Sequence, residues 1–238
     1  MEEINRLVNE VYVLSLREKE AELAALQSQI NPHFIYNTLE SINMMAIEKH
    51  NYEVSDMVTA LGKLLRYSID RYDRLVRLAE ELESVASYVK IQRMRFGERL
   101  RVVFDVDEGL SDVRVPKLLF QPLVENAIQH GIGDRERGGT IWISAVRFDN
   151  QLILTVSDDG RGLDDKEIEE LRRSLAEPFP DDGRRGGLAL RNIVQRIRLM
   201  YGEPFGLEID GSPGEGAAFT ITLPIDRRDA EHVQSAAG

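Results

Sequence analysis

The sequence predicts two architectures in one chain: a helical region over residues 1–95, then an α/β domain over residues 96–228 in which a mixed sheet carries helices on one face. Three observations predict this. Apolar residues recur at three-four spacing as far as Arg95, then give way to short, partly alternating β-branched runs. Glycine-containing turns separate the later elements, and 42% of residues are hydrophobic, enough to bury a core.

Residues 1–24 read as an incoming helix. Ile4, Leu7, Val11 and Leu14 form one coiled-coil seam. A second seam, Leu23, Leu26 and Ile30, lies out of register with it, and the charged run "REKE" (17–20) sits between them as a stutter would. Residues 25–95 continue as helices. The stretch "QINPHFIYNTLESI" (29–42) places Pro32 beside His33, one of four histidines; that proline marks either a helix boundary or, within a running helix, a kink that frees the carbonyl of Ser28. Ile35, Leu39, Ile42 and Ala46 then make one apolar face. A break at "KHNYE" (49–53) leads to a helix with Leu61, Leu64 and Leu65, and a third helix, from about Leu78 to Arg95, turns Leu82, Val85 and Val89 inward. Short connections predict an antiparallel hairpin, and its limited apolar face predicts pairing with a second copy.

Past Phe96, "LRVVFDV" (100–106), "TIWISAV" (140–146), "LILTVS" (152–157) and "AFTITLP" (218–224) read as strands, with "FDNQ" (148–151) as a hairpin turn. Helices are expected over about 116–131, 165–176 and 188–201. The stretch "EPFPDDGRRGG" (177–187) reads as a loop and residues 229–238 as a tail.

Charge and composition exclude several functions. Net charge is −11 and the pI about 5.0, with basic residues interspersed among acids, which argues against nucleic acid as a partner. The absence of cysteine removes disulfides and thiolate metal sites. With neither a membrane-length apolar run nor a signal peptide, the expectation is a soluble cytoplasmic chain.

Three constellations carry chemistry. In "PLVENAIQHGIG" (122–133), Asn126 and His130 are four residues apart and share a helix face. In "VSDDGRGL" (156–163), Asp158 at a strand end offers a carboxylate to an exocyclic amine, while Gly160 and Gly162 permit a sharp turn and close backbone approach. Gly186 and Gly187 precede a helix, and a glycine loop feeding a helix N-terminus favours an anion. Each alone has an ordinary explanation: an amphipathic helix, a strand-ending turn, a linker.

Together and in this order, they resemble the Bergerat ATP-binding α/β sandwich of histidine kinases, gyrase-type ATPases and heat-shock chaperones. That resemblance implies that Asn126 holds Mg²⁺ against ATP, that Asp158 with Gly160 and Gly162 receives adenine, and that Gly186 and Gly187 belong to a lid over the phosphates. His130 is the expected further phosphate contact. "LQSQINPHFIYNTLESI", "YVKIQRMRFGERL", "PKLLFQPLVENAIQHGI" and "RNIVQRIRLMYG" extend the resemblance from Glu18 to Pro224, to the LytS/YesM-like sensor histidine kinases.

The implied activity is ATP-dependent phosphorylation of His33 and transfer to an aspartate on a response regulator. Residues 25–95 would form the dimerisation and phosphotransfer domain and residues 96–228 the catalytic domain. A membrane sensor upstream is implied, with this region as its intracellular part. Asn37, four residues after His33, is either a positioning or phosphatase residue or a solvated polar position.

Several positions depart from the family pattern. Phe34 stands where many histidine kinases carry an acid, and Glu40 lies two turns from His33. Gln129 replaces a frequent lysine, Asp159 a common asparagine, and Ala189 a lid glycine. Arg93 and Arg95 read as a basic helix end complementing its dipole in preference to phosphoryl contacts, and His50 and His232 as solvated. The rival readings are a Bergerat-fold ATPase or protein-serine kinase, and a nucleotide-binding dimerisation module without catalysis.

Overall fold

The computed structural model describes residues 31–69, 75–133, 135, 137–176 and 188–225. The predicted incoming helix, the whole of the 177–187 loop and the tail lie outside them. Two compact units divide between Thr59 and Ala60.

In the first unit, α1 (Pro32–Glu48) begins at the proline. Asn31 is extended (φ −79°, ψ 99°) and its side chain accepts the Phe34 amide at 3.2 Å. Of the two readings of Pro32, the structure shows the helix boundary and not the mid-helix kink. Proline at the first helical position costs no hydrogen bond, because that N–H has no partner within a helix. At the other end the chain turns through His50, whose φ is 54°. The Asn51 side chain then accepts the Val54 amide at 3.3 Å and so opens α2 (Tyr52–Ile69). A 2.6 Å bond from Ser55 Oγ to Asn43 Oδ1 ties the start of α2 back to α1. Little of this hairpin is covered: Phe34, Met44, Met45, Tyr52 and Met57 are all exposed.

The second unit holds a five-stranded sheet of order β2-β4-β5-β7-β6. The strands are β2 (Leu100–Val106), β4 (Gly139–Phe148), β5 (Gln151–Asp158), β6 (Gly206–Ser212) and β7 (Gly216–Pro224). Only β2 and β4 are parallel neighbours; the other pairs are antiparallel. The predicted β4–β5 hairpin closes on Phe148↔Gln151, with Asp149 at φ 53° in the two-residue turn. Two strands not anticipated from sequence, β1 (Leu75–Arg77) and β3 (Arg114–Pro116), pair antiparallel, and β6 is a third.

One face of the sheet is covered. Ile141, Ile143, Leu152, Leu154, Val156, Phe219 and Ile221 point inward and are buried with Phe120, Leu123, Ile193 and Ile197 of the helices. Each such side chain contributes roughly 1.5–3 kcal/mol on leaving water. Trp142 and Phe148, in the opposite register of β4, remain exposed. The covering helices include α4 (Phe120–Asn126), α5 (Asp165–Ala176) and α6 (Leu188–Tyr201).

The start of α4 is held by α3 (Leu78–Phe96). Glu81, 1% exposed, accepts the amides of Leu118, Leu119 (2.9 Å) and Phe120 (3.2 Å), and also the Tyr67 hydroxyl. Leu118 adopts a left-handed φ of 58°, which a leucine rarely does, and this bend aims consecutive amides at one carboxylate. Burying a carboxylate costs several kcal/mol unless donors surround it, and here four do. Burial pushes the Glu81 carboxyl up, opposed by those hydrogen bonds. Burial also raises the Tyr67 hydroxyl, with the charge of Glu81 adding to it. The ammonium of buried Lys117 lies 4.7 Å from the centre of the Tyr67 ring.

Candidate nucleotide site and phosphoacceptor

Strand alternation places the central carboxylate. The period of two that buries Leu152, Leu154 and Val156 also turns Asp158 inward, where it is 6% exposed. Its Oδ1 accepts the Gly160 amide at 2.8 Å. Burial raises its carboxyl above the usual carboxylate range; the Asp159 charge adds to this, while the Gly160 and Ala217 amides and Arg135 oppose it.

The turn after Asp158 is too crowded for side chains. A Cβ on Gly160 would overlap the Gly131 carbonyl and the Asp158 carboxylate. Gly131 is equally constrained, since a Cβ there would sit 2.5 Å from Asp158 Oδ1. Gly162 has φ +73° and abuts the Ser212 carbonyl. Amides of the turn and of the β6–β7 hairpin complete the fastening: Arg161 N–H donates to Gly131 O at 3.1 Å, and Gly214 N–H to Arg161 O at 2.7 Å.

Opposite this turn, α4 ends at Asn126 and the chain continues as one π-helical turn, Ala127–Ile132. The predicted α-helical stacking of Asn126 over His130 is therefore replaced by a wider turn, a local distortion that recurs at functional sites. Both side chains nevertheless line one cleft with Gly131, Asp158, Gly162 and Phe219. Of the predicted residues, Asn126, His130, Asp158 and Gly162 thus converge. Gly160 braces the carboxylate from behind, while Gly186 and Gly187 lie outside the described residues.

Sequence reading missed Gly131, Arg161, Leu163, Ala217 and Phe219 as lining residues. The adjacency of Gly131 to His130 was the available signal; Ala217 and Phe219 come from a strand some 60 residues on and carried none.

A buried acceptor at the base of a cleft, glycines that bring backbone close, and an amide side chain opposite suit a purine amine and its phosphates. The cleft is narrow in this structure. No group of three or more His, Cys, Asp or Glu side chains among the described residues is placed to hold a metal ion. Asn126 contributes a side-chain amide to the lining of the cleft.

One of the departures has a local structural role. Asp159 Oδ1 accepts the Thr140 amide at 2.7 Å and so fixes the start of β4. Gln129 and Ala189 are exposed. Arg93 donates to the Val102 carbonyl at 3.4 Å, and Arg95 stands 5.2 Å from the Phe96 ring centre. His50 is exposed, 3.5 Å from the Tyr52 hydroxyl, and His232 lies outside the described residues. Folding also gathers Arg99, Arg101, Arg135 and Arg137 around one cleft of about 470 Å³, which their separation in sequence did not suggest.

In the first unit His33 is exposed on the first turn of α1. Asn37 lies one turn on, with Nδ2 3.2 Å from His33 Nδ1. Phe34 is 68% exposed, so neither neighbour encloses the imidazole.

Residues 21–100 match the family described as histidine kinase, and residues 111–227 that described as histidine kinase-, DNA gyrase B-, and HSP90-like ATPase. Sensor histidine kinase YesM of Bacillus subtilis is 42% identical over 224 residues, 94% of this chain and 37% of that protein. Sensor histidine kinase YpdA of Escherichia coli is 39% identical over 210 residues, 87% of this chain and 35% of that protein. Sensor protein LytS of Enterococcus faecalis is 28% identical over 225 residues, 94% of this chain and 37% of that protein. The chain thus spans little more than a third of each of these relatives. With both family matches in tandem along nearly its whole length, it belongs to the sensor histidine kinases, in the group of YesM, YpdA and LytS.

Proposed function

We propose that this region catalyses transfer of the γ-phosphoryl group of ATP to His33, and that the phosphohistidine then donates it to an aspartate of a response regulator. The reading rests chiefly on the inward-facing carboxylate of Asp158 in a cleft shared with Asn126. Asp158 accepts the adenine amine, with Gly160 and Gly162 allowing close approach of the backbone. Asn126 and His130 face the phosphates, and Gly186 and Gly187 belong to a segment that covers them. Mg²⁺ bound with ATP neutralises phosphate charge; it commonly takes few protein ligands and keeps water and phosphate oxygens, which suits Asn126 as a lone contributor.

At His33 a neutral imidazole has one nitrogen lone pair free to attack phosphorus. Its bond to phosphorus forms as the bond from the γ-phosphorus to the bridging oxygen breaks; ADP leaves and the ring proton passes to solvent. Asn37 orients the ring through Nδ1. Two copies associate through the exposed apolar surface of the α1–α2 hairpin. The relatives' printed names as sensor proteins support reading this region as the cytoplasmic kinase part of a membrane-anchored receptor.

Incubation with γ-labelled ATP and Mg²⁺ tests the reading. Acid-labile, alkali-stable label is expected in the parent and absent from His33→Gln and Asn126→Ala. Undiminished label in His33→Gln contradicts it.

A further inference from the structure

We propose that Glu81 is a positioning residue for the nucleotide site, clamping the start of α4 to α2 and α3 and thereby setting where Asn126 and His130 stand. The inference rests on the nucleotide site proposed above. Its geometry lies wholly within the second unit.

An ordinary helix start is capped by a residue next to it in the chain. Here the cap comes from 37 to 39 residues earlier, on a different helix. Both carboxylate oxygens are used: Oε1 takes Leu118 and the Tyr67 hydroxyl, Oε2 takes Leu119 and Phe120. Tyr67 lies in the last turn of α2, so one buried carboxylate joins three helices.

The far end of the clamped element is functional. α4 runs from Phe120 to Asn126 and passes directly into the π-helical turn with His130 and Gly131. Gly131 in turn lies so near Asp158 that a Cβ there would sit 2.5 Å from Asp158 Oδ1. A shift at the Glu81 end has no flexible linker in which to dissipate before it reaches the cleft. Loss of the Tyr67 hydroxyl leaves Oε1 with the Leu118 amide as its single donor, frees the carboxylate to rotate and so loosens the grip on the start of α4.

The test compares the parent with Tyr67→Phe, which keeps the ring against Lys117, and with Glu81→Gln, in which an amide replaces one acceptor oxygen. Two readouts are taken well below the melting temperature: affinity for a fluorescent ATP analogue, and hydrogen exchange of amides 118–132 without nucleotide. Expected are a three-fold or greater loss of affinity in Tyr67→Phe and a larger one in Glu81→Gln. Exchange over 118–132 rises at least ten-fold in both, with β5 unchanged. Parent-like exchange and affinity in Tyr67→Phe overturn the proposal, whether or not Glu81→Gln folds. If the parent binds no nucleotide, the proposed function fails, and exchange over 118–132 still decides the clamp.

Discussion

Asn37 places its side-chain amide 3.2 Å from Nδ1 of His33, one helical turn away and on the same exposed face of α1. The contact occupies one ring nitrogen and leaves Nε2 open. As placed, the Asn37 Nδ2–H donates to Nδ1 and the neutral ring holds its proton on Nε2; turning the Asn37 amide over, so that its oxygen accepts from Nδ1–H, frees the Nε2 lone pair as the nucleophile.

Phosphorus NMR of the denatured phosphoprotein is therefore expected to report the Nε2 isomer. Asn37→Ala keeps nucleotide affinity and slows phosphorylation roughly 2- to 12-fold, the effect of one solvent-exposed hydrogen bond of about 0.5–1.5 kcal/mol. A mixture of the two isomers in the parent would show that the contact does not direct attack.

Asp158→Asn separates binding from stability. Removing a charge-assisted acceptor is expected to weaken ATP binding roughly 10- to 150-fold, about 1.5–3 kcal/mol. Because burial raises the carboxyl in the folded state, folded protein holds the proton more tightly than unfolded. Its contribution to stability is therefore fully present below the unfolded carboxylate value and lost as pH rises through the folded one. Near neutrality the variant without nucleotide should melt no lower than the parent, and the gap should close as pH falls into that window. Calorimetry from pH 4 to 8 checks the sign.

Gly160→Ala has no space for its methyl group, since both neighbours are fixed: the Gly131 carbonyl and the carboxylate it already donates to. The expected loss is about 1–3 kcal/mol of stability, as for overpacking elsewhere, together with nucleotide binding. Denaturant titration and analogue binding measure the two. A parent-like result in both would mean that the turn is not held as described.

Dimerisation through the hairpin predicts a sedimenting species of twice the 27.0 kDa chain mass. Exposed Met44 and Met57 changed together to Lys should shift it towards monomer at micromolar concentration without lowering the melting temperature of the second unit. An unchanged sedimentation profile would place the contact elsewhere.

The parts legible in sequence are those that local pattern controls. The Asp-x-Gly-x-Gly turn at the end of a predicted strand marked Asp158, "FDNQ" (148–151) marked a hairpin, and the long helices followed from their apolar spacing. What escaped depended on distant partners. The strand over 114–116 exists because residues 75–77 pair with it. The helix expected from 116 begins instead at Phe120, because Glu81 draws the preceding amides into a bend. At Pro32 both a kink and a helix start fit the local sequence, and the extended backbone of Asn31 selects the start.

The central claim is that phosphorus from ATP comes to rest on one imidazole. Its most direct test is incubation with Mg²⁺-ATP, proteolysis under alkaline conditions that preserve phosphohistidine, and fragmentation of the peptide spanning residues 29–42. The account predicts the added phosphoryl group on His33. Phosphate on His130 or on a serine or threonine, with His33 unmodified, would contradict it.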